Sequence, residues 1–187
     1  QKYVIENTRL GIPLFLAEEA PHGHMAIGTT VFPTGIGMAA TWSPTLIEEV
    51  GNVIAKEIRS QGAHISYGPV LDLSRDPRWS RVEETFGEDP VLSGRLGAAM
   101  ILGLGSGDLS CEYATIATLK HFLAYAVPEG GQNGNYASVG TRDLHENFLP
   151  PFREAIDAGA LSVMTSYNSI DGVPCTANHY LLTQLLR

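Results

Sequence analysis

The chain has 187 residues, enough for one domain with a sizeable core, and its 44% hydrophobic and 17% charged residues fit a globular protein rather than a disordered one. A formal net charge of −8 argues against nucleic acid or an anionic membrane surface as partner, since both require basic patches. No apolar run is long enough to span a bilayer as a helix.

In chain order, the first apolar run is Leu10 to Glu19, and Ile12 to Ala17 within it predicts a strand. Polar residues begin at Glu18, and Ala20-Pro21-His22-Gly23-His24 predicts a turn rich in titratable groups. Pro44 to Gly62 predicts a helix: Leu46, Val50, Val53, Ile54 and Ile58 recur at helical spacing, Ser43 suits the start and Gly62 the end. Ile65 to Leu73 is a short apolar run closed by turn residues, which predicts a buried strand. Pro90 to Gly103 predicts a second long helix with Leu92, Leu96, Ala99 and Met100 on its face, and Ile116 to Phe122 a third strand. Val127 to Thr141 is rich in Gly, Asn and Ser and predicts a long loop, a length that in compact domains is usually functional or mobile. Arg142 to Ala158 predicts a helix that Pro150 and Pro151 kink, and Leu161 to Tyr167 a fourth strand. His179 to Arg187 is an apolar-periodic helix without a Gly or Pro stop, and the chain opens on Gln1, so a longer parent polypeptide is expected. Cys111 and Cys175 sit in no metal-ligand spacing and are expected to be unpaired, buried thiols.

The order strand, loop, helix recurs four times, which implies parallel strands with helical crossovers. A doubly wound sheet and a barrel both bind ligands at the carboxyl ends of such strands, but the first turn lacks G-x-G-x-x-G, so a dinucleotide site is not indicated. A complete barrel needs about 250 residues. The expectation is therefore an α/β chain forming part of a (β/α)8 TIM-like barrel, about four βα units with parallel strands.

The segment after the second strand, Asp72-Leu73-Ser74-Arg75-Asp76-Pro77-Arg78-Trp79-Ser80-Arg81-Val82-Glu83-Glu84, is dense in alternating Arg and carboxylate and broken by Pro77 and Gly87. Fixed donors and acceptors of this kind match the hydroxyls of a sugar ring. The same charges also suit a surface loop held by its own ion pairs. The pattern D-x-x-R-D-P-R-W-x-R-x-E-E-T-F-G-E-D-P, Asp72 to Pro90, resembles the signature segment of glycoside hydrolase family 3, which includes many β-glucosidases and β-xylosidases. Lys120-His121-Phe122 and Met164-Thr165-Ser166-Tyr167-Asn168 resemble two further motifs of that family, K-H-F and M-x-S-Y-N.

The resemblance implies substrate-binding roles for Glu19, Arg81, Lys120, His121, Met164 and Tyr167. A carboxylate such as Glu19 accepts from two vicinal hydroxyls, the Arg81 fork donates to two, and Tyr167 offers a sugar ring an apolar face. Read without the family, Glu18 or Glu19 also suits a cap or a salt bridge, and Met164 and Tyr167 suit a core. Adjacent residues on a strand point to opposite sides, so Lys120 and His121 both meet a ligand only if the strand is ending or bulged there. Asp72 is expected behind these contacts, orienting neighbours, and Arg142 either there or in a purely structural role, while Arg75, Arg78, Glu83 and Glu84 pin the loop and His22 holds its turn. Relatives often carry an Arg near the position of Gln132; Gln132 and Asn133 stand here instead.

Retaining glycosidases use two carboxyl groups about 5–5.5 Å apart. The resemblance places the nucleophile, an Asp of a Ser-Asp-Trp motif, on the strand after Tyr167; no Ser-Asp-Trp occurs in this sequence, so no catalytic carboxylate is assigned. The implied activity is retaining, exo-acting β-glucoside hydrolysis without metal or organic cofactor. The β-xylosidase alternative and that of a non-catalytic sugar-binding fragment stay open. The family's N-acetylglucosaminidases are disfavoured, because their His-containing loop after K-H-F is not seen in Ala124 to Tyr136. Expected partners are a β-linked glucoside or oligosaccharide and the remainder of the barrel or a second copy of the chain. A substrate of this class favours a periplasmic or secreted location.

Overall fold

The computed structural model describes residues 1–187. Its centre is a four-stranded parallel sheet in the order β1-β2-β3-β4, made of Ala17–Glu19, Ile65–Val70, Ile116–Phe122 and Ser162–Thr165. Ala17 aligns with Ile65, Ile65 with Ile116, and Thr118 with Ser162. Strands adjacent in sequence are adjacent in space, as in an arc of a barrel, and each return passes through a helix.

The crossovers follow from local chemistry. Two short helices, α1 (Lys2–Asn7) and α2 (Gly35–Ala39), precede α3 (Pro44–Ser60). The Ser43 Oγ accepts from the Leu46 amide at 3.3 Å, Pro44 occupies the first turn where no amide is needed, and Gly62, at φ 88°, ends the helix. In α4 (Pro90–Leu104) the Asp89 Oδ1 accepts from the Leu92 amide at 2.7 Å. α5 (Thr141–Asp143) runs through a π-helical turn, Leu144–Phe148, into α6 (Leu149–Asp157). Pro150 and Pro151 have no amide to donate, and the widened turn just before them absorbs the lost bonds.

α3 packs on α4 and α4 on α6, and one core runs between this helical layer and the sheet. Ile47, Ile54, Ile58, Leu96, Leu104, Leu119 and Phe122 are within 1% of full burial. The α3–α4 crossing is unusually close: a methyl group on Gly51 would stand 2.8 Å from the Met100 carbonyl oxygen.

Several expectations need correction. The first strand is Ala17–Glu19, not Ile12–Ala17: Ile12, Leu14, Phe15 and Leu16 lie outside the strand and are exposed, and the backbone joins the sheet only where the Leu16 carbonyl accepts from the Ile65 amide. α3 buries Ile47 and Ala55 in place of Leu46 and Val53, because the buried stripe is centred one residue further round the helix. β2 stops at Val70 and β4 spans Ser162–Thr165, both shorter than their apolar runs. Ser169–Ile170 and Val173–Pro174 form a small antiparallel hairpin, β5–β6, not foreseen in the sequence. The last helix is a π-helical turn, Tyr180–Leu185. Both cysteines are free, but Cys111 is exposed and only Cys175 is buried. No helix is long and apolar enough to cross a membrane.

Candidate functional site

Four parallel strands open their carboxyl ends on one rim, and every polar group of the candidate site is delivered there. Glu19 closes β1, Asp72 follows β2 by two residues, Lys120 and His121 fall near the end of β3, and Tyr167 follows β4 by two. The β3–β4 register shifts between Leu119 and Phe122, which breaks the alternation of side chains where Lys120 and His121 lie.

Two hydrogen-bonded groups result. The Lys120 Nζ, 1% exposed, donates to the Glu19 Oε2 at 2.6 Å, and Glu19 remains half exposed. The second group is built on His121. Its Nδ1 lies 2.7 Å from the Asp72 Oδ2, its backbone amide donates to the same oxygen at 3.2 Å, and its Nε2 lies 3.1 Å from the Arg81 Nη2. Arginine has only donors, so the Nε2 accepts; the imidazole proton therefore sits on the Nδ1 and is donated to Asp72.

Arg81 is itself clamped. Its Nε and Nη2 donate to the two Glu84 oxygens at 2.6 and 2.8 Å, a fork-on-fork pair formed across the 3-10 turn Val82–Glu84. This pairing holds the guanidinium well above its ordinary pKa. Burial pushes the Glu84 carboxyl up, but the Arg81 hydrogen bond and the charges of Arg81 and Lys120 outweigh it, and the pKa lies below the usual glutamate value. Glu84 is therefore an anion within the field of two cationic site residues, Arg81 and Lys120.

An aromatic group that the sequence reading missed underlies this arrangement. Tyr125 is fully buried, with the Arg81 Cζ 5.5 Å above its ring, the His121 ring at 4.9 Å and the Tyr167 ring at 5.8 Å. Its hydroxyl lies close to Arg81 and Asn133 without hydrogen-bond geometry to either, and burial raises its pKa. The signal was present as an aromatic five residues after Lys120, but one tyrosine in an apolar run reads as core. Glu84 was assigned to the loop scaffold; it does pin the loop, by holding Arg81.

Glu19, Lys120, His121, Asp72, Arg81 and Tyr167 thus share one rim. Met164 lies on β4, partly buried, with no polar contact to the group. Arg142 does not reach it: its side chain is 88% exposed and pairs with Glu146 one turn along the helix surface. Arg75 pairs with Asp143 at 3.0 Å and lies over Phe148, and Arg78 pairs with Asp76, holding that carboxyl at about 2 by its hydrogen bond. The His22 carbonyl accepts from the Phe32 amide and closes the loop after β1. Asn133 accepts from the Trp79 indole N–H at 2.9 Å. No group of three or more His, Cys, Asp or Glu side chains is placed to hold a metal ion. A cavity of about 750 Å³ lies apart from the cluster, between Tyr136–Thr141, the β5–β6 hairpin and the last helical turn. The cluster itself is an open shelf, with Glu19 and the 76% exposed Tyr167 at its margins.

Comparison with known proteins decides the family. The sequence profile of the glycosyl hydrolase family 3 N-terminal domain matches residues 1–187. The chain belongs to glycoside hydrolase family 3. This family 3 domain is 36% identical to a periplasmic β-glucosidase of Salmonella typhimurium over all of the chain and 24% of the relative, and 42% identical to a β-xylosidase of Formosa agariphila over 97% of the chain and 26% of the relative. Among solved structures it superposes with a TM-score of 0.95 and 39% identity on a β-glucosidase mutant of Listeria innocua in complex with laminaribiose, covering 100% of this chain and 26% of that one. The same Listeria enzyme has been solved with glucose. The family 3 domain thus spans about a quarter of the length of the relatives it matches, and its sheet is the N-terminal part of their barrel.

Proposed function

We propose that this family 3 domain forms the glycone-binding part of a retaining, exo-acting β-glucosidase that releases terminal, non-reducing β-D-glucose. The observation that carries the reading is the joining of two charged groups, Glu19–Lys120 and Asp72–His121–Arg81–Glu84, on one rim. The rim offers a half-exposed carboxylate as acceptor, an ammonium and a guanidinium as donors, and the Tyr167 ring as an apolar face. Vicinal equatorial hydroxyls over an apolar ring face are the matching ligand. Met164 would pack beneath that ring.

Each rim carboxylate is already held by a partner: Glu19 by Lys120, Asp72 by His121, Glu84 by Arg81. Carboxylates so engaged suit binding and orientation. The nucleophile and the acid/base are therefore assigned to polypeptide outside residues 1–187, whose strands would pair with the free edges of β1 and β4. The exposed Leu10, Ile12 and Phe15 give such a remainder apolar surface to cover.

The alternative β-xylosidase reading rests on the 42% identity to the Formosa enzyme, a value that a β-glucosidase of intestinal bacteria equals. A full-length protein carrying this domain, assayed on aryl β-glucoside and aryl β-xyloside, separates the two. Faster turnover of the glucoside, lost in Arg81→Ala with folding retained, supports the proposal. Preference for the xyloside replaces it, and turnover of neither, with glucose still bound, leaves a non-catalytic sugar-binding domain.

A further inference from the structure

We infer that Tyr125 is a positioning residue for sugar binding: its ring sets Arg81 and His121 in the geometry in which they meet the ligand. The inference rests on the sugar-binding reading above but concerns a residue outside that set of contacts.

Tyr125 is fully buried, but apart from the main core. The main core of the domain, between sheet and helices, is one continuous cluster, and Tyr125 is not in it. With Trp79 and Ala126 it forms a separate small core under the rim, lined by Val82. Removing it would leave the helix-on-sheet packing in place. What rests on it is the site: the Arg81 guanidinium lies 5.5 Å over its ring, and the His121 ring stands edge-on at 4.9 Å and 75°. The Tyr167 ring stands at 5.8 Å and 89°. One side chain therefore touches groups delivered by the loop after β2, the end of β3 and the end of β4.

The ring's own position is fixed from behind. Trp79 packs on it at 5.1 Å and 69°, and the Trp79 indole N–H is tied to the Asn133 Oδ1 at 2.9 Å. Asn133 belongs to the long loop after β3, so that loop braces the tyrosine through the tryptophan. A cation held over an aromatic face is attracted by the ring, the more so when water is excluded. Here Glu84 fixes the guanidinium in its plane through both oxygens, while the Tyr125 ring fixes its height above the rim. With both in place the Arg81 Nη2 can reach the His121 Nε2, and the tautomer of His121 follows. The hydroxyl of Tyr125 makes no hydrogen bond, so the ring carries the role.

The test uses the full-length protein carrying this domain. Glucose is titrated calorimetrically into the wild type, Tyr125→Leu, Tyr125→Phe, Asn133→Ala and Arg81→Ala, so that stoichiometry reports the folded fraction and Kd the site. Tyr125→Leu should raise Kd about tenfold with stoichiometry retained, the equivalent of losing one well-oriented cation–ring contact and the alignment it gives. Tyr125→Phe should stay within about twofold, since either ring attracts the guanidinium. Asn133→Ala, which only unlocks Trp79, should fall between, and it decides the matter if the leucine variant does not fold. A folded Tyr125→Leu with wild-type Kd, or a phenylalanine variant as weak as the leucine, overturns the inference. If Arg81→Ala leaves Kd unchanged, the sugar-binding reading fails instead. The positioning role is then read without sugar, from the ¹⁵N shift of the His121 Nε2, which must change in Tyr125→Leu and stay in Tyr125→Phe.

Discussion

The two central strands of the sheet and the two outer ones end in different ways. At the ends of β2 and β3 the polar groups are buried and bonded to one another: Asp72 and His121 are each 3% exposed, and Arg81 is gripped by Glu84 and backed by Tyr125. At the ends of β1 and β4 they face outward, with Glu19 half exposed and Tyr167 76% exposed. The inner groups are fixed by one another, whereas the outer pair has surface left to give. Preorganised donors in the middle and adaptable groups at the margins suit recognition of a rigid ring whose substituents vary.

The contrast can be broken most strongly in the sheet itself. Leu119 on β3 and Val163 on β4 are register partners, but Leu119 is fully buried and Val163 only partly. Leu119→Ala should cost about 3–4 kcal/mol in unfolding free energy and Val163→Ala about 1 kcal/mol, measured by denaturant titration. Equal losses would show that the outer strand is packed as tightly as the centre. Next in size, Asp72→Ala strips the acceptor from both the His121 amide and its ring N–H, and a loss of about 3 kcal/mol is expected. Glu19→Ala, at a half-exposed position, should cost the fold no more than about 1 kcal/mol.

A gentler probe uses acid. The Glu84 carboxyl is held below the ordinary glutamate value, so its pairing stabilises the fold at neutral pH and is lost as pH falls below that ordinary value and through the folded one. The stability gap between wild type and Glu84→Gln should therefore be full at pH 7 and close progressively in that acid range; a gap independent of pH would remove Glu84 from the charged network. The smallest effect belongs to the rim: Tyr167→Phe should change stability by less than about 0.5 kcal/mol, and a larger loss by thermal melting would mean that the exposed ring is held after all.

Much of this was legible in the sequence, but unevenly. β3 was found at its observed bounds, Ile116 to Phe122, although Thr118, Lys120 and His121 interrupt its apolar residues. β1 was displaced toward the chain start because hydrophobicity was taken as burial: Leu10 to Leu16 is apolar yet exposed, while the paired residues are Ala17, Glu18 and Glu19. A strand that ends in a functional carboxylate does not look like a strand to a hydropathy argument. The rim placement of Glu19, Arg81, Lys120, His121 and Tyr167 follows from motifs together with parallel topology. Tyr125 has no such motif, and its importance lies in contacts with Trp79, Arg81, His121 and Tyr167, of which only Arg81 and Trp79 are near each other in sequence. For Arg142 the structural one of its two expected roles fits: alignment to a pattern says nothing of direction, and its side chain points along its own helix to Glu146.

The close crossing at Gly51 and Gly103 has a consequence for how such a domain can diversify. Neither residue can grow by one methyl group without pushing into the backbone of the other helix, with Gly51 facing the Met100 carbonyl oxygen at 2.8 Å. The spacing of the crossover helices is therefore set by backbone rather than by side chains, and the strands beneath them have little freedom to shift. Variation in what the domain accommodates then has to come from the connecting segments above the sheet, Asp72 to Glu88 and Val127 to Thr141. Engineering should be tolerated at the exposed positions of those segments, such as Arg78 and Tyr136, and not at the buried Asp72 or Trp79 within them, nor behind the sheet.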